Sequence, residues 1–187
     1  MARTLTYIWG AVIVGVLALW VTRPDLFSEA VIAGTIQAWG VWSLAGYVAL
    51  SLFRGMALVP STPVVLAGGI LFPQAIWTVL GVSMLGIVLS ATLLYRFPGY
   101  GGYDVWLETK HPERLANLRR HLIKPHATWF VALWAFFPAM PTDLICYAAG
   151  LVRMPFRSMI LGIVIGELPL VTAYVLLGHR MAGFLAP

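Results

Sequence analysis

The chain has 187 residues, of which 60% are hydrophobic and 10% are charged; a soluble domain carries about 25% charged residues. That excludes a soluble fold, whose surface would need polar side chains this sequence does not own. The formal charge of +5, from 12 Lys and Arg against 7 Asp and Glu, fits membrane topology and contact with anionic lipid headgroups as partners, not nucleic acid.

The apolar residues fall in long blocks without a period-2 alternation, which argues against a β-barrel. Helices are the other way to satisfy every backbone group in lipid. The expected class is an all-α integral membrane protein, a small bundle with room for roughly four to six segments at about 20 residues each. The single cysteine, Cys146, excludes an internal disulfide and a cysteine-based metal site.

The first segment runs from Tyr7 to Thr22, behind Arg3, and Arg23-Pro24-Asp25 closes it. It could be read as a signal peptide, but further membrane segments follow, which favours a retained helix. Residues 1–28 are thus the expected first transmembrane helix and loop, and residues 29–187 the main membrane domain. Ser28 is placed to cap the next helix, with Glu29 in its first turn. That second segment is expected from Ala30 to Leu52, ending at Arg54.

Residues Gly55–Phe72 are apolar but broken by Pro60 and Pro63, with Ser61 and Thr62 between them and Gly68-Gly69 near the end. Neither arm is long enough to cross about 30 Å of hydrocarbon at about 1.5 Å per residue. A third segment follows, Ile76–Tyr95, ending in Arg96. The polar stretch 99–125 comes next. Trp106, Leu107, Leu115, Leu118 and Leu122 recur at roughly helical spacing, with Lys110, Arg114, Arg119, Arg120 and Lys124 between them. The pattern predicts one amphipathic helix lying on the membrane surface, the competing reading being a solvated loop helix without lipid contact.

Residues Ala127–Val152 are broken at Pro138 and Pro141 and close on Gly150. Each arm has about eleven residues, roughly 16 Å. The fourth segment is Phe156–Leu177. The two broken stretches share a Pro-x-x-Pro spacing and a small-residue ending. Paired prolines force the chain to turn, and irregular backbone at membrane depth is tolerated only under protein or beside water. Both stretches (about 55–72 and 127–152) are therefore expected to be re-entrant hairpins. With one span between them they would form an inverted repeat. The competing reading makes each a single kinked spanning helix. The basic loop 110–124 belongs on the cytoplasmic side by the positive-inside rule. An even number of spans contradicts that, so one segment is expected not to cross, the one ending at Arg54.

Asp143 follows Pro141 at the tip of the second hairpin. Thr142 or Asp143 can cap the returning arm; Asp143 can equally act as a protonatable group or a counter-ion in a midplane cavity. Glu167 lies near the centre of the fourth segment, two residues before Pro169. It either donates to a carbonyl that the proline leaves unpaired or exchanges protons. The second is the preferred reading, because intramembrane acids are costly and usually functional. Arg54, Arg96, Arg153 and Arg157 flank apolar segments, where arginines snorkel or grip phosphate headgroups. Arg153 and Arg157 are four apart and are expected to share a helix face. No metal-ligand spacing, no hydrolase motif and no P-loop is present, so no cofactor, no metal and no enzymatic activity is expected.

The run Phe137-Pro138-Ala139-Met140-Pro141-Thr142-Asp143 to Ala149-Gly150, then Met154-Pro155-Phe156, Gly166-Glu167-Leu168-Pro169 and Tyr174 to Gly178, resembles the DedA family, also called the VTT-domain or SNARE-associated Golgi protein family. Pro60–Gly69 and Arg96-Phe97-Pro98-Gly99 match its first half more loosely, and the resemblance covers about residues 50–178. The sequence departs from the family pattern at Ala135, where many members have arginine, and has no acid in Pro60–Phe72. The resemblance implies two facing re-entrant hairpins and movement of lipids between leaflets, either phospholipid or polyprenyl phosphate, often coupled to protons. It also implies a multi-pass protein of the cell membrane, of the bacterial inner-membrane kind, and is compatible with a homo-oligomer. A non-transporting membrane scaffold and a proton-coupled exporter of small solutes are the alternatives.

Overall fold

The computed structural model describes residues 11, 14–15, 18–19, 21–54, 61–101, 103–110, 112–122, 126–138 and 140–185. Among them there is no strand. Nine α-helices are named here: α1 (Glu29–Gln37), α2 (Ser43–Phe53), α3 (Ser61–Leu71), α4 (Ile76–Gly101), α5 (Tyr103–Lys110), α6 (Pro112–Leu122), α7 (Ala127–Phe136), α8 (Thr142–Leu151) and α9 (Phe156–Leu185). Two stretches are long and apolar enough to cross a membrane, Ile76–Tyr100 and Phe156–Gly183. The helical residues between 11 and 22 fall on the expected first segment, most of which lies outside the described residues.

The chain divides into two compact units, and both long helices contribute to each. The first unit comprises residues 11–87 and 169–187. Ser28 caps α1 as expected, its hydroxyl accepting from the Val31 amide at 3.4 Å. The expected single span from Ala30 to Leu52 is corrected here. It breaks after α1, where Gly40 takes a left-handed φ of 56° and the Trp39 ring lies over Gly46. Glycine adopts that φ at no steric cost, and the missing side chain at Gly46 makes room for the indole. At about 1.5 Å per residue, neither α1 nor α2 crosses a bilayer alone. Within this unit Gly86 of α4 packs on the Ser51 carbonyl of α2, and the Tyr47 hydroxyl of α2 bonds Ser83 of α4 at 2.8 Å. Residue numbers rise together along this contact, so α2 and α4 run parallel. Gly68 of α3 sits under the Tyr47 ring, and Phe72 stacks on Tyr47 with centroids 5.6 Å apart. The end of α3 therefore meets the start of α2, and the two are antiparallel. Residues 55–60, which hold Pro60 and the first arm of the hairpin expected over about 55–72, lie outside the described residues.

The described part of the second unit is residues 88–168. Gly162 of α9 lies on the Thr128 carbonyl and Val131 of α7, and Gly166 on the Ala132 carbonyl and Ala135. The rising register again makes α7 and α9 parallel, and the Gly-x-x-x-Gly spacing lets their backbones meet, as in membrane helix pairs. Thr142 at the start of α8 bonds Glu167, while residues 152–155 join the end of α8 to the start of α9. So α8 runs antiparallel to α9 and to α7. The order of arms and partners is the same in both units.

Two further expectations change. The third segment does not stop at Arg96; α4 continues through Pro98 to Gly101. A proline there removes the bond to the Leu94 carbonyl without ending the helix. The expected single amphipathic helix is two helices. Pro112 opens α6, where a helix needs no amide donor, and a Glu108–Arg119 ion pair at 3.2 Å joins α6 to α5. Leu122, expected on the lipid face, is buried.

Candidate functional site

The second hairpin turns over residues 137–141. Phe137 leaves the α7 helix in an extended conformation, as a residue before proline prefers. Its amide still reaches the Trp134 carbonyl, and the Met140 amide reaches the Phe137 carbonyl. The Trp134 indole Nε1 donates across the break to the Pro141 carbonyl at 3.2 Å. Pro141 is the N-cap of α8 and makes no side-chain cap bond, and Thr142 and Asp143, expected to cap this arm, lie within its first turn.

The Thr142 hydroxyl instead donates to Glu167 Oε1 at 2.5 Å. Glu167 is only 3% exposed. Its helix reaches that close because Gly166 presents no side chain to the α7 backbone. The contact joins the tip of the broken arm to the middle of a long helix, close to Pro169. Asp143 is half-buried beside it, at a helix start that favours negative charge. Cys146, one turn further along α8, is buried. Two acids and a hydroxyl are thus brought to the start of α8. All three residues stand out in the sequence, but the pairing of Thr142 with Glu167 does not.

The arginines divide. Arg153 and Arg157 do not share a helix face: Arg153 lies past the end of α8 with φ 55°, and Arg157 is the second residue of α9. The Arg153 and Met154 amides bond the Gly150 and Ala149 carbonyls, the pattern of a left-handed helix stop where glycine is usual. A non-glycine residue there costs about 1–2 kcal/mol. Tyr95 buttresses this corner. Its hydroxyl donates to the Met154 carbonyl at 2.6 Å, its ring stacks on Phe156 at 5.3 Å, and its carbonyl lies against Gly150. Arg96, the next residue along α4, is brought to the same corner. Arg96, Arg153 and Arg157 are all exposed, as headgroup-facing cations would be. Arg54 differs, being 6% exposed at the end of α2 in the first unit.

At the first hairpin Ser61, Thr62 and Pro63 form the half-buried first turn of α3, where proline is tolerated. Gly68 lies under Tyr47, and Gly69 lies on the Val175 carbonyl and Gly178 of the same unit. All three glycines singled out in the sequence, Gly68, Gly69 and Gly150, are thus points of close helix approach. Tyr47, Ser51 and Tyr95 were missed. Polar residues spaced four apart in an otherwise apolar helix were the available signal for the first two.

The model of the VTT domain matches residues 59–180. This chain belongs to the VTT-domain family, the family of the DedA and SNARE-associated Golgi proteins. The matched region runs from just before α3 into α9, so it takes in α3 to α8 and most of α9. VTT-domain proteins are membrane proteins, which agrees with the two apolar helices long enough to span. No curated protein and no solved structure matches the chain.

Proposed function

We propose that this VTT-domain protein is a lipid transporter of the flippase or scramblase type, moving phospholipid or polyprenyl phosphate between the leaflets of a cell membrane. Both broken arm pairs are read as re-entrant, each entering and leaving the bilayer on one side. The observation that carries this reading is the parallel packing of α7 on α9. If α7 and α8 were two halves of one spanning helix, the chain would have to come back, and α9 would run against α7. A re-entrant hairpin makes the first arm and the following span parallel.

A turn at membrane depth brings unpaired amides and polar side chains into a place where a polar headgroup can be held. At the second turn those side chains are Thr142, Asp143 and Glu167. Glu167 carries the proton in this reading, and Arg96, Arg153 and Arg157 receive anionic headgroups at the exposed corner. The basic residues of α5 and α6 rest on the membrane surface.

Leaflet exchange in proteoliposomes tests the proposal. Fluorescent phosphatidylethanolamine and fluorescent polyprenyl phosphate are reconstituted with the full chain, and a membrane-impermeant quencher is added outside. Quenching beyond the outer-leaflet share for either lipid is the expected result. If both inner-leaflet pools stay protected, the chain does not move lipid.

A further inference from the structure

Arg153 stands in the corner between α8 and α9 at φ 55°, a region that residues other than glycine enter at a cost. Glycine or asparagine would make the same helix stop with less strain. The stop itself therefore does not call for arginine. Backbone strain persists only where the surroundings over-determine it, and it gathers at functional sites.

The surroundings here are specific. Val152 and Met154 are buried, at 1% and 0% exposure, while Arg153 between them is exposed. The Arg153 amide donates to the Gly150 carbonyl at 3.1 Å, and the Met154 amide to the Ala149 carbonyl at 2.9 Å. From α4, the Tyr95 hydroxyl donates to the Met154 carbonyl at 2.6 Å, and the Tyr95 ring packs on Phe156. Two residues on, Phe97 meets Tyr147 of α8 with ring centroids 6.4 Å apart. The carbonyl one residue past the strained position is thus tied to α4 by a side chain.

The segments that build the corner, 88–103 and 144–166, carry Arg96, Arg153 and Arg157 and no acid. Arg153 also interacts within the chain. A guanidinium has five N–H donors in a planar fork, so others are left for a bidentate grip on phosphate oxygens. A zwitterionic headgroup brings a cation of its own, which three arginines repel. A headgroup with net negative charge does not.

We infer that Arg153 is a specificity-determining residue, selecting lipids whose phosphate headgroup has net negative charge over zwitterionic lipids, and that Tyr95 is its positioning residue. The inference rests on the headgroup corner of the transport reading, and binding reads it separately from transport.

The test uses the full chain, in neutral detergent for binding and in proteoliposomes for exchange. The probes are phosphatidic acid and phosphatidylcholine, dihexanoyl for binding and fluorescent for exchange. The parent should bind phosphatidic acid about tenfold or more tightly than phosphatidylcholine, the gain expected of hydrogen bonds to a charged group. Arg153→Gly should raise the melting temperature by about 2–4 °C as the strain is released, and yet abolish most of that preference. An arginine with a merely structural role would give the rise and leave the preference intact. Tyr95→Phe keeps the ring on Phe156 and loses the hydroxyl. It should reduce the preference in the parent and change it no further in Arg153→Gly, the coupling that marks action through Arg153. No preference in the parent, or a parental preference in Arg153→Gly, would overturn the inference. An equal loss from Tyr95→Phe with and without Arg153 would remove Tyr95 from it. If the expected binding preference is found but neither lipid changes leaflet, the transport reading fails and the specificity of the corner stands. If both lipids exchange but are bound without preference, this inference fails and the transport reading stands.

Discussion

Glu167→Gln is expected to lower lipid exchange about tenfold or more and to flatten its pH dependence while leaving the fold intact. Gln has the shape of Glu and keeps an oxygen that accepts the Thr142 hydroxyl, so the contact at 2.5 Å survives as packing. What is lost is charge and the capacity to bind and release a proton. A hydrogen bond to a charged group is worth about 1.5–3 kcal/mol, against about 1 kcal/mol for a neutral one, and each 1.4 kcal/mol is about tenfold. Glu167→Leu separates function from stability. It strands the Thr142 hydroxyl in a buried place and should cost about 1–3 kcal/mol of stability besides stopping exchange. Initial exchange rates in proteoliposomes at acid and at neutral pH check the pair, with melting temperatures alongside. Glu167→Gln exchanging lipid at the parental rate and with the parental pH profile would remove Glu167 from the mechanism.

The other large effect is steric. A Cβ built at Gly150 collides with the Tyr95 carbonyl, backbone against backbone, within one unit. A flexible side chain could swing aside; a helix backbone cannot. Gly150→Val should therefore destabilise the protein by about 3 kcal/mol or more, at the upper end of overpacking effects. It should also displace the corner that carries Arg153 and Arg157. Gly81 is the control. It lies in the same kind of helix with nothing within 4 Å of a built Cβ. Gly81→Ala should leave stability unchanged or improve it by about 0.5–1 kcal/mol, since glycine is the poorer helix former. Denaturation of both variants in detergent distinguishes a close backbone contact from a general cost of losing glycine.

How much of this was legible in the chain follows from where the punctuation falls. Pro138 and Pro141 interrupt an apolar run with enough force that two short helices, α7 and α8, flank them. The two long helices were legible as uninterrupted apolar runs. The break inside the second segment was not legible, because α2 sits in an apolar run where Gly40 is one glycine among Gly34 and Gly46. A lone glycine does not announce a left-handed turn, and the Trp39 ring over Gly46 depends on packing. Pro98 and Pro112 show the converse. Pro98 reads as a stop and is carried inside α4; Pro112 reads as internal to one helix and opens another.

The candidate site was legible as residue types and not as geometry. Intramembrane acids are rare enough that Asp143 and Glu167 stood out by position alone. Their relation could not be read, because Thr142 and Glu167 are 25 residues apart and meet only once Gly162 and Gly166 have brought α9 onto α7. Arg153 and Arg157 have the spacing of neighbours on a helix. The left-handed stop at Arg153 separates them, and Pro155, two residues on, was the available signal that the helix ends between them. The Tyr47 cluster was hidden for a related reason: tyrosine and serine in an apolar run read as ordinary span residues until burial shows them enclosed together.

The central claim is that the second hairpin turns back within the membrane, and the side of the bilayer reached by its two ends tests it most directly. In a Cys146→Ser background, single cysteines at Lys110, before α7, and at Arg157, after α8, are labelled in sealed vesicles of known orientation with a membrane-impermeant thiol reagent. A re-entrant hairpin returns the chain to where it entered, so both positions should label from the same side. Labelling from opposite sides would mean that α7 and α8 together cross the bilayer, and the hairpin reading would be contradicted.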